Sequence, residues 1–300
     1  MKMHSLDVRS ISYASAAQNK HQRFLIKSLE NISGRLHLLR RAQQNHKKFE
    51  TCGSLWHALT EIYGLKLNCV DGALTNIPSS GPVILISNHP YGILDGLLLG
   101  HILNEVRGDF KIIAHKVFGQ TSYLRDYIVP ISFDETKEAV YANTRSRRDA
   151  IDYLASGGAI GIFPGGTVST SEKLFSRPID PIWRSFTAKM ISKSDATVIP
   201  IYFHGHTSRL FQIASHLHYN LRMGLLMREF KSRIDGVVNV SIGDPISKKE
   251  IASRAANPKY LMDYLRACSY EFSPVQSDKF DLGYEFETQH KKKKITYSVC

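Results

Sequence analysis

The run Ser87-Asn88-His89-Pro90-Tyr91-Gly92-Ile93-Leu94-Asp95-Gly96 holds a histidine and an aspartate six positions apart. An imidazole titrates near neutrality and can take the proton from a hydroxyl that attacks an electrophile. A carboxylate on its other ring nitrogen fixes the tautomer and stabilises the imidazolium that forms. On a continuous helix, residues six apart point about 120° away from each other. His89 and Asp95 therefore meet only if His89 lies in a turn and Asp95 in the first turn of the helix that follows. Pro90 and Gly92 are suited to that turn. The competing reading makes Asp95 a helix cap and His89 an ordinary loop residue.

A second constellation is Phe163-Pro164-Gly165-Gly166-Thr167-Val168-Ser169-Thr170-Ser171. Adjacent glycines let backbone N–H groups approach a ligand, and the hydroxyls of Thr167, Ser169, Thr170 and Ser171 add neutral donors. Such a loop suits an anion or an oxyanion; taken alone, it is also an ordinary tight turn. No G-x-S-x-G nucleophile elbow occurs, so no serine is marked for covalent catalysis. The pairs His204/His206 and His216/His218 lack a matching acidic or cysteine set, and no metal site is expected from them.

Both constellations follow short apolar runs. PVILIS precedes the first and AIGIF the second, and FKIIAH, VPISF, TVIPIYF and VVNVSIG alternate with helical stretches from residue 82 onward. The alternation predicts an α/β fold: a mixed, largely parallel central sheet flanked by helices, with active-site residues at the strand ends. Residues 20–48 place Leu25, Leu29, Ile32, Leu36 and Leu39 at helical spacing, with Arg23, Lys27, Arg35, Arg40 and Arg41 around them. That pattern predicts a basic amphipathic helix whose apolar stripe meets either the core or a membrane surface. A second such helix is expected over 54–64 with Gly64 as its C-cap. The expected division is an N-terminal amphipathic helical region over 1–79, a catalytic core over 80–250, a helical segment over 251–273 and a disordered basic tail over 274–300, which includes four consecutive lysines.

A net charge of +12 and a pI near 9.5 suit an anionic partner such as a lipid surface, an acidic carrier protein or nucleic acid. No nucleic-acid reader motif is present, and nucleic acid is not expected. No apolar run reaches the roughly 18 positions of a membrane span, and MKMHSLDVRS lacks the core of a secretion signal. Cys52, Cys69, Cys268 and Cys300 are scattered, as in a reduced cytoplasmic protein.

Taken together, the two loops resemble those of the glycerolipid (lysophospholipid) acyltransferase superfamily, in which N-H, a short loop and D are followed by an F-P-x-G-T block. The likeness covers about residues 80–250 and extends to Val198–Gly205 and Val240–Ile246, which look like that superfamily's fourth block and closing strand. The stretch Leu221–Phe230 resembles the bacterial hemolysin-like and ornithine-lipid-related branch. The resemblance implies direct acyl transfer from acyl carrier protein or coenzyme A to a lysolipid hydroxyl, with no other cofactor. His89 would be the base and Asp95 its partner. Asn88, Phe163, Pro164, Gly165, Gly166, Thr167 and Ser169 would be the substrate-binding set. A lysophospholipid or lyso-ornithine-type acceptor and a peripheral place on the inner face of the cell membrane go with it. The family's glutamate and arginine of the third block are Gly165 and Val168 here, which points away from lysophosphatidic acid. Lys116, Arg125, Arg145, Arg147 and Arg148 are the nearest cations for an acidic head group, and Arg125 is the first choice. From a different class, a non-catalytic basic membrane-docking module accounts for the charge and the helices but not for the paired loops.

Overall fold

In a computed structural model, residues 12–17, 19–132, 134, 136–275 and 281–285 are described. Seven strands form the main sheet: β1 (Lys66–Gly72), β2 (Val83–Ser87), β3 (Phe110–His115), β4 (Ile128–Ile131), β5 (Ala159–Ile162), β8 (Thr197–Phe203) and β9 (Val237–Ile242). Their order is β1-β9-β8-β2-β5-β3-β4. Every pairing is parallel except that of β8 with β9. A two-stranded ribbon, β6 (Thr170–Ser171) with β7 (Pro178–Ile179), lies apart from it. This is the mixed, largely parallel α/β sheet that the alternation predicts.

Central strands are apolar on successive residues because both faces are covered. Val83 and Leu85 of β2 enter one core, beneath α4 (Leu55–Tyr63), α5 (Ile93–Val106) and α9 (Tyr219–Lys231). Ile84 and Ile86 enter the other, beneath α6 (Lys137–Ala155), α7 (Phe186–Lys193) and α11 (Pro258–Tyr270). Leu98, Leu99 and Leu103 of α5 are fully buried, each contributing roughly 1.5–3 kcal/mol. α8 (Arg209–Leu217) and the short α10 (Lys248–Ala252) complete the chain's second half.

Three expectations are corrected. Residues 20–48 do not form one helix: α1 (Lys20–Glu30) and α2 (Leu36–Gln44) are joined by a π-turn over Asn31–Arg35, and a short α3 (Lys48–Thr51) follows. The stripe expected to meet either the core or a membrane surface is partly turned outward, with Ile32 85% and Leu25 and Leu36 43% exposed. Ile26, Glu30, Leu38 and Ala42 are buried instead. The wider π-turn changes the helical phase, and the contact with α9 is partly polar, with Ser33 Oγ donating to Gly224 O (2.8 Å).

Secondly, the N-terminal region is not only helical, since β1 joins the sheet beside β9. β1 is exposed along nearly its whole length and lies at the edge of the sheet, so its sequence carries no buried apolar run. Thirdly, the basic tail lies largely outside the described residues, but 281–285 is docked, with Gly283 N–H donating to Asp180 O (2.9 Å) and Tyr284 N–H to Thr170 O (3.1 Å). The 54–64 helix is as expected, with Ser54 capping its start and Gly64 left-handed at its end.

Candidate active site

The turn leaving β2 is built around Asp95. Its Oδ2 accepts from the backbone N–H groups of Tyr91 (2.8 Å) and Gly92 (2.9 Å). Gly92 sits at φ +79°, where a side chain would be strained and would press on Leu226 and Val168. This conformation places Asp95 in the first turn of α5 with Oδ2 2.9 Å from His89 Nδ1. The two atoms are within hydrogen-bonding distance, with the ring N–H angled off the straight line to the carboxylate. Asp95 is fully buried, and burial pushes its carboxyl above the usual range, opposed by the His89 contact and the two backbone N–H groups. His89 stacks on Phe163, with ring centroids 4.2 Å apart and planes 23° from parallel. With Nδ1 turned to Asp95, the imidazole's Nε2 is left for a substrate.

Residues at the carboxyl ends of β2, β3, β4 and β5 share a cavity of about 600 Å³, within the range of about 300–1,000 Å³ usual for small-molecule sites. Its walls are mostly apolar, with Trp56, Leu97, Ile112, Phe118, Leu124 and Met227 among them. His89, Phe163, Pro164, Gly166 and Thr167 also line it. Two sequence-selected sets are thereby brought together, from chain positions more than seventy residues apart.

Other selected residues stand behind this wall. Asn88 is buried and spends its side-chain amide on Phe203, donating to its carbonyl (2.9 Å) and accepting from its N–H (2.7 Å). It splices the turn to β8. Ser169 Oγ donates to Asp180, and Gly165 backs onto the same aspartate. Arg125 is exposed on a single 3-10 turn and does not line the cavity; Arg147 does, stacked over Phe186. Spacing placed Arg125 near the strand ends but could not orient it. Lys116 is ion-paired with Asp134, and burial lowers the pKa of the neighbouring His115 to about 4.

Two residues escaped the sequence reading. Asp180, fully buried, accepts from His89 N–H (3.2 Å), Ser169 Oγ and Trp183 Nε1 (2.9 Å), and so ties both loops together. Its signal was an acidic residue inside the apolar run Ile179-Asp180-Pro181-Ile182-Trp183. Arg222 of α9, also buried, donates through Nη2 to Thr167 Oγ1 (2.9 Å) and Val168 O (2.8 Å), and through Nη1 to Thr170 Oγ1 (2.7 Å) and Ser215 Oγ (2.8 Å). A guanidinium thus reaches the loop position where the family's arginine is replaced by Val168. Because Thr167 Oγ1 accepts from Arg222, its own proton remains to be donated elsewhere.

Residues 50–274 match the model of a family described as acyltransferase. The chain belongs to this acyltransferase family. It is an enzyme of acyl transfer. Its similarity to curated relatives is low but extended. It is 24% identical over 205 residues to a lyso-glycine lipid O-acyltransferase of Phocaeicola vulgatus, covering 66% of this chain and 67% of that one. To the lyso-glycine lipid O-acyltransferase of Bacteroides thetaiotaomicron it is 23% identical over 230 residues, 74% of this chain and 78% of that one. Among solved structures, the 1-acyl-sn-glycerophosphate (LPA) acyltransferase PlsC of Thermotoga maritima aligns over 88% of this chain and 87% of its own, with a TM-score of 0.47 and 16% identity. The acyltransferase match begins at residue 50, within the segment where β1 also lies.

The histidines set aside as metal ligands have protein partners. His204 Nε2 lies 2.8 Å from Ser241 Oγ, His206 Nδ1 2.8 Å from Thr207 O and His216 Nε2 2.9 Å from Ser171 O, while His218 Nδ1 accepts from Asn220 N–H (3.1 Å). Among the described residues, no helix is long and apolar enough to cross a membrane.

Proposed function

We propose that this acyltransferase moves a fatty acyl group from a thioester, on acyl carrier protein or coenzyme A, to the hydroxyl of a lysolipid. The observation that carries this is the His89–Asp95 pair on the wall of an apolar cavity large enough for an acyl chain. His89 Nε2 takes the acceptor's hydroxyl proton as the oxygen attacks the thioester carbonyl. The tetrahedral intermediate collapses to an ester, and the departing thiolate takes that proton back from the imidazolium. Thr167, backed by the Arg222 guanidinium, is the donor assigned to the developing oxyanion or the acceptor's head group. The names of the relatives favour an acceptor of the lyso-glycine type over a lysophospholipid.

Purified protein given labelled acyl thioesters and a panel of lysolipids should form an O-acylated lipid, fastest with the lyso-glycine acceptor. Absence of ester product from every pair would overturn the assignment, and the relative rates with the two carriers identify the donor.

A second proposal concerns place. Phe24 and Ile32 are 75% and 85% exposed on α1 and the π-turn, near Lys20, Arg23 and Lys27. An apolar ridge with basic flanks suits the cytoplasmic face of an anionic membrane. Binding to anionic vesicles should weaken as salt rises; affinity indifferent to both salt and lipid charge would remove it.

A further inference from the structure

Two helices that cover one face of the sheet, α4 and α5, bring a different set of side chains together. His101 and Glu105 are one turn apart on α5, and His57 lies opposite them on α4. The ligand-type atoms of these three residues all lie within 4.8 Å of one another. The His57 and His101 rings are 6.2 Å apart between centroids, tilted by 44°. His101 Nδ1 is buried without a hydrogen-bond partner, and Glu105 Oε1 stands 3.7 Å from it, beyond hydrogen-bonding distance. A buried ring nitrogen left in this way is destabilising unless a ligand takes it up.

We propose that His57, His101 and Glu105 form a binding site for a divalent transition-metal ion of the zinc type, joining α4 to α5. Two imidazoles and a carboxylate are a zinc donor set, and ligands spaced i, i+4 on a helix project from one face. At Zn–N and Zn–O distances of about 2.0–2.2 Å, tetrahedral ligands stand roughly 3.3–3.5 Å apart. The present separation closes by about 1 Å through rotation of the His57 and Glu105 side chains, which are exposed and able to turn. Three protein ligands leave one position for water. The ion fastens α4 against the helix whose first turn carries Asp95, 6 residues before His101. The ligands lie 44 residues apart in the chain, from His57 to His101, which is why no spacing motif announces them.

The test uses the full-length, tag-free protein stripped with chelator and titrated with zinc chloride by calorimetry, with thermal midpoints measured in parallel. One ion per chain is expected. A free zinc concentration about 100-fold above Kd should raise the midpoint by about 5 °C. His57→Ala and Glu105→Gln, both at exposed positions, should each weaken binding at least about 10-fold and remove most of the thermal shift. No heat and no shift in the wild type would overturn the proposal. So would unchanged affinity in both variants, which would assign the zinc to other groups. Neither readout depends on acyl transfer.

Discussion

The turn after β2 and the loop after β5 lie side by side on the cavity wall, with His89 stacked on Phe163, yet they are held in opposite ways. Within the turn, Asp95 accepts from Tyr91 and Gly92 and pairs with His89, so seven consecutive residues frame the base. The 163–171 loop is framed from outside. Asp180 takes the Ser169 hydroxyl, Arg222 takes Thr167, Val168 and Thr170, and Gln212 accepts from Ser171 N–H at 2.9 Å. The two meet where Ser169 N–H donates to His89 O at 2.8 Å and where Asp180 also accepts from His89 N–H. A histidine–carboxylate pair can thus be encoded in one short segment, whereas the loop beside it is held by three others.

The sharpest way to break this contrast is to remove the base. His89→Ala should lower kcat about 10²–10⁴-fold in an initial-rate assay with the thermal midpoint little changed. Asp95→Asn should cost less and act on kcat rather than KM. A normal rate in His89→Ala would dismantle the comparison, since the turn would then frame nothing reactive. Next comes the borrowed frame. Asp180→Ala leaves the His89 N–H, the Ser169 hydroxyl and the Trp183 indole without their acceptor, and a loss of about 3 kcal/mol or more is expected in urea unfolding. Stability within about 0.5 kcal/mol of wild type would mean that the loop stands without its distant anchor.

Acid separates Asp95 in the turn from His115 at the end of β3 by sign. Asp95 has a raised folded pKa, so its contribution to stability is fully present below the unfolded value of 3.8 and lost as pH rises through the folded one. His115, at the end of β3, is lowered from 6.5 to about 4. Its contribution is present above pH 6.5 and lost as pH falls towards 4, by on the order of 3 kcal/mol. His115→Gln should therefore flatten the acid limb of the stability curve between pH 6.5 and 4, measured by denaturant midpoints. An unchanged limb would rule out His115 as its source. The smallest effect is expected at Arg125: Arg125→Ala should shift stability by no more than about 0.5 kcal/mol and leave the acceptor's KM unaltered. A clear rise in KM would bring that exposed residue back into the site.

How much was legible follows the same division. Spacing left His89 and Asp95 open between a pair and a helix cap; Gly92 and Pro90 allowed the turn that joins them, and the resemblance of both loops to one family favoured the pair. Phe163 and Thr167 were reachable through a block of glycines and hydroxyls after an apolar run. Asp180 and Arg222 were not, because a buried charge in a sequence looks like any other charge until its partners are located. The α1–α2 stripe stayed undecided between core and membrane surface for a related reason. Helical periodicity gives the relative phase of residues, but the π-turn at Asn31–Arg35 shifts that phase and α9 selects which face is covered. Arg125 shows the same weakness at a single position.

From the amino-acid order alone came the α/β alternation, the strand ends as the place for chemistry, and the histidine with its carboxylate. These rest on interactions among residues close in the chain, where few conformations compete. Tertiary structure decided which loop stacks on His89, which arginine lies beside Thr167, and which helical face is left bare. Those outcomes depend on contacts between segments far apart in sequence, whose relative placement is set by burying both faces of one sheet at once.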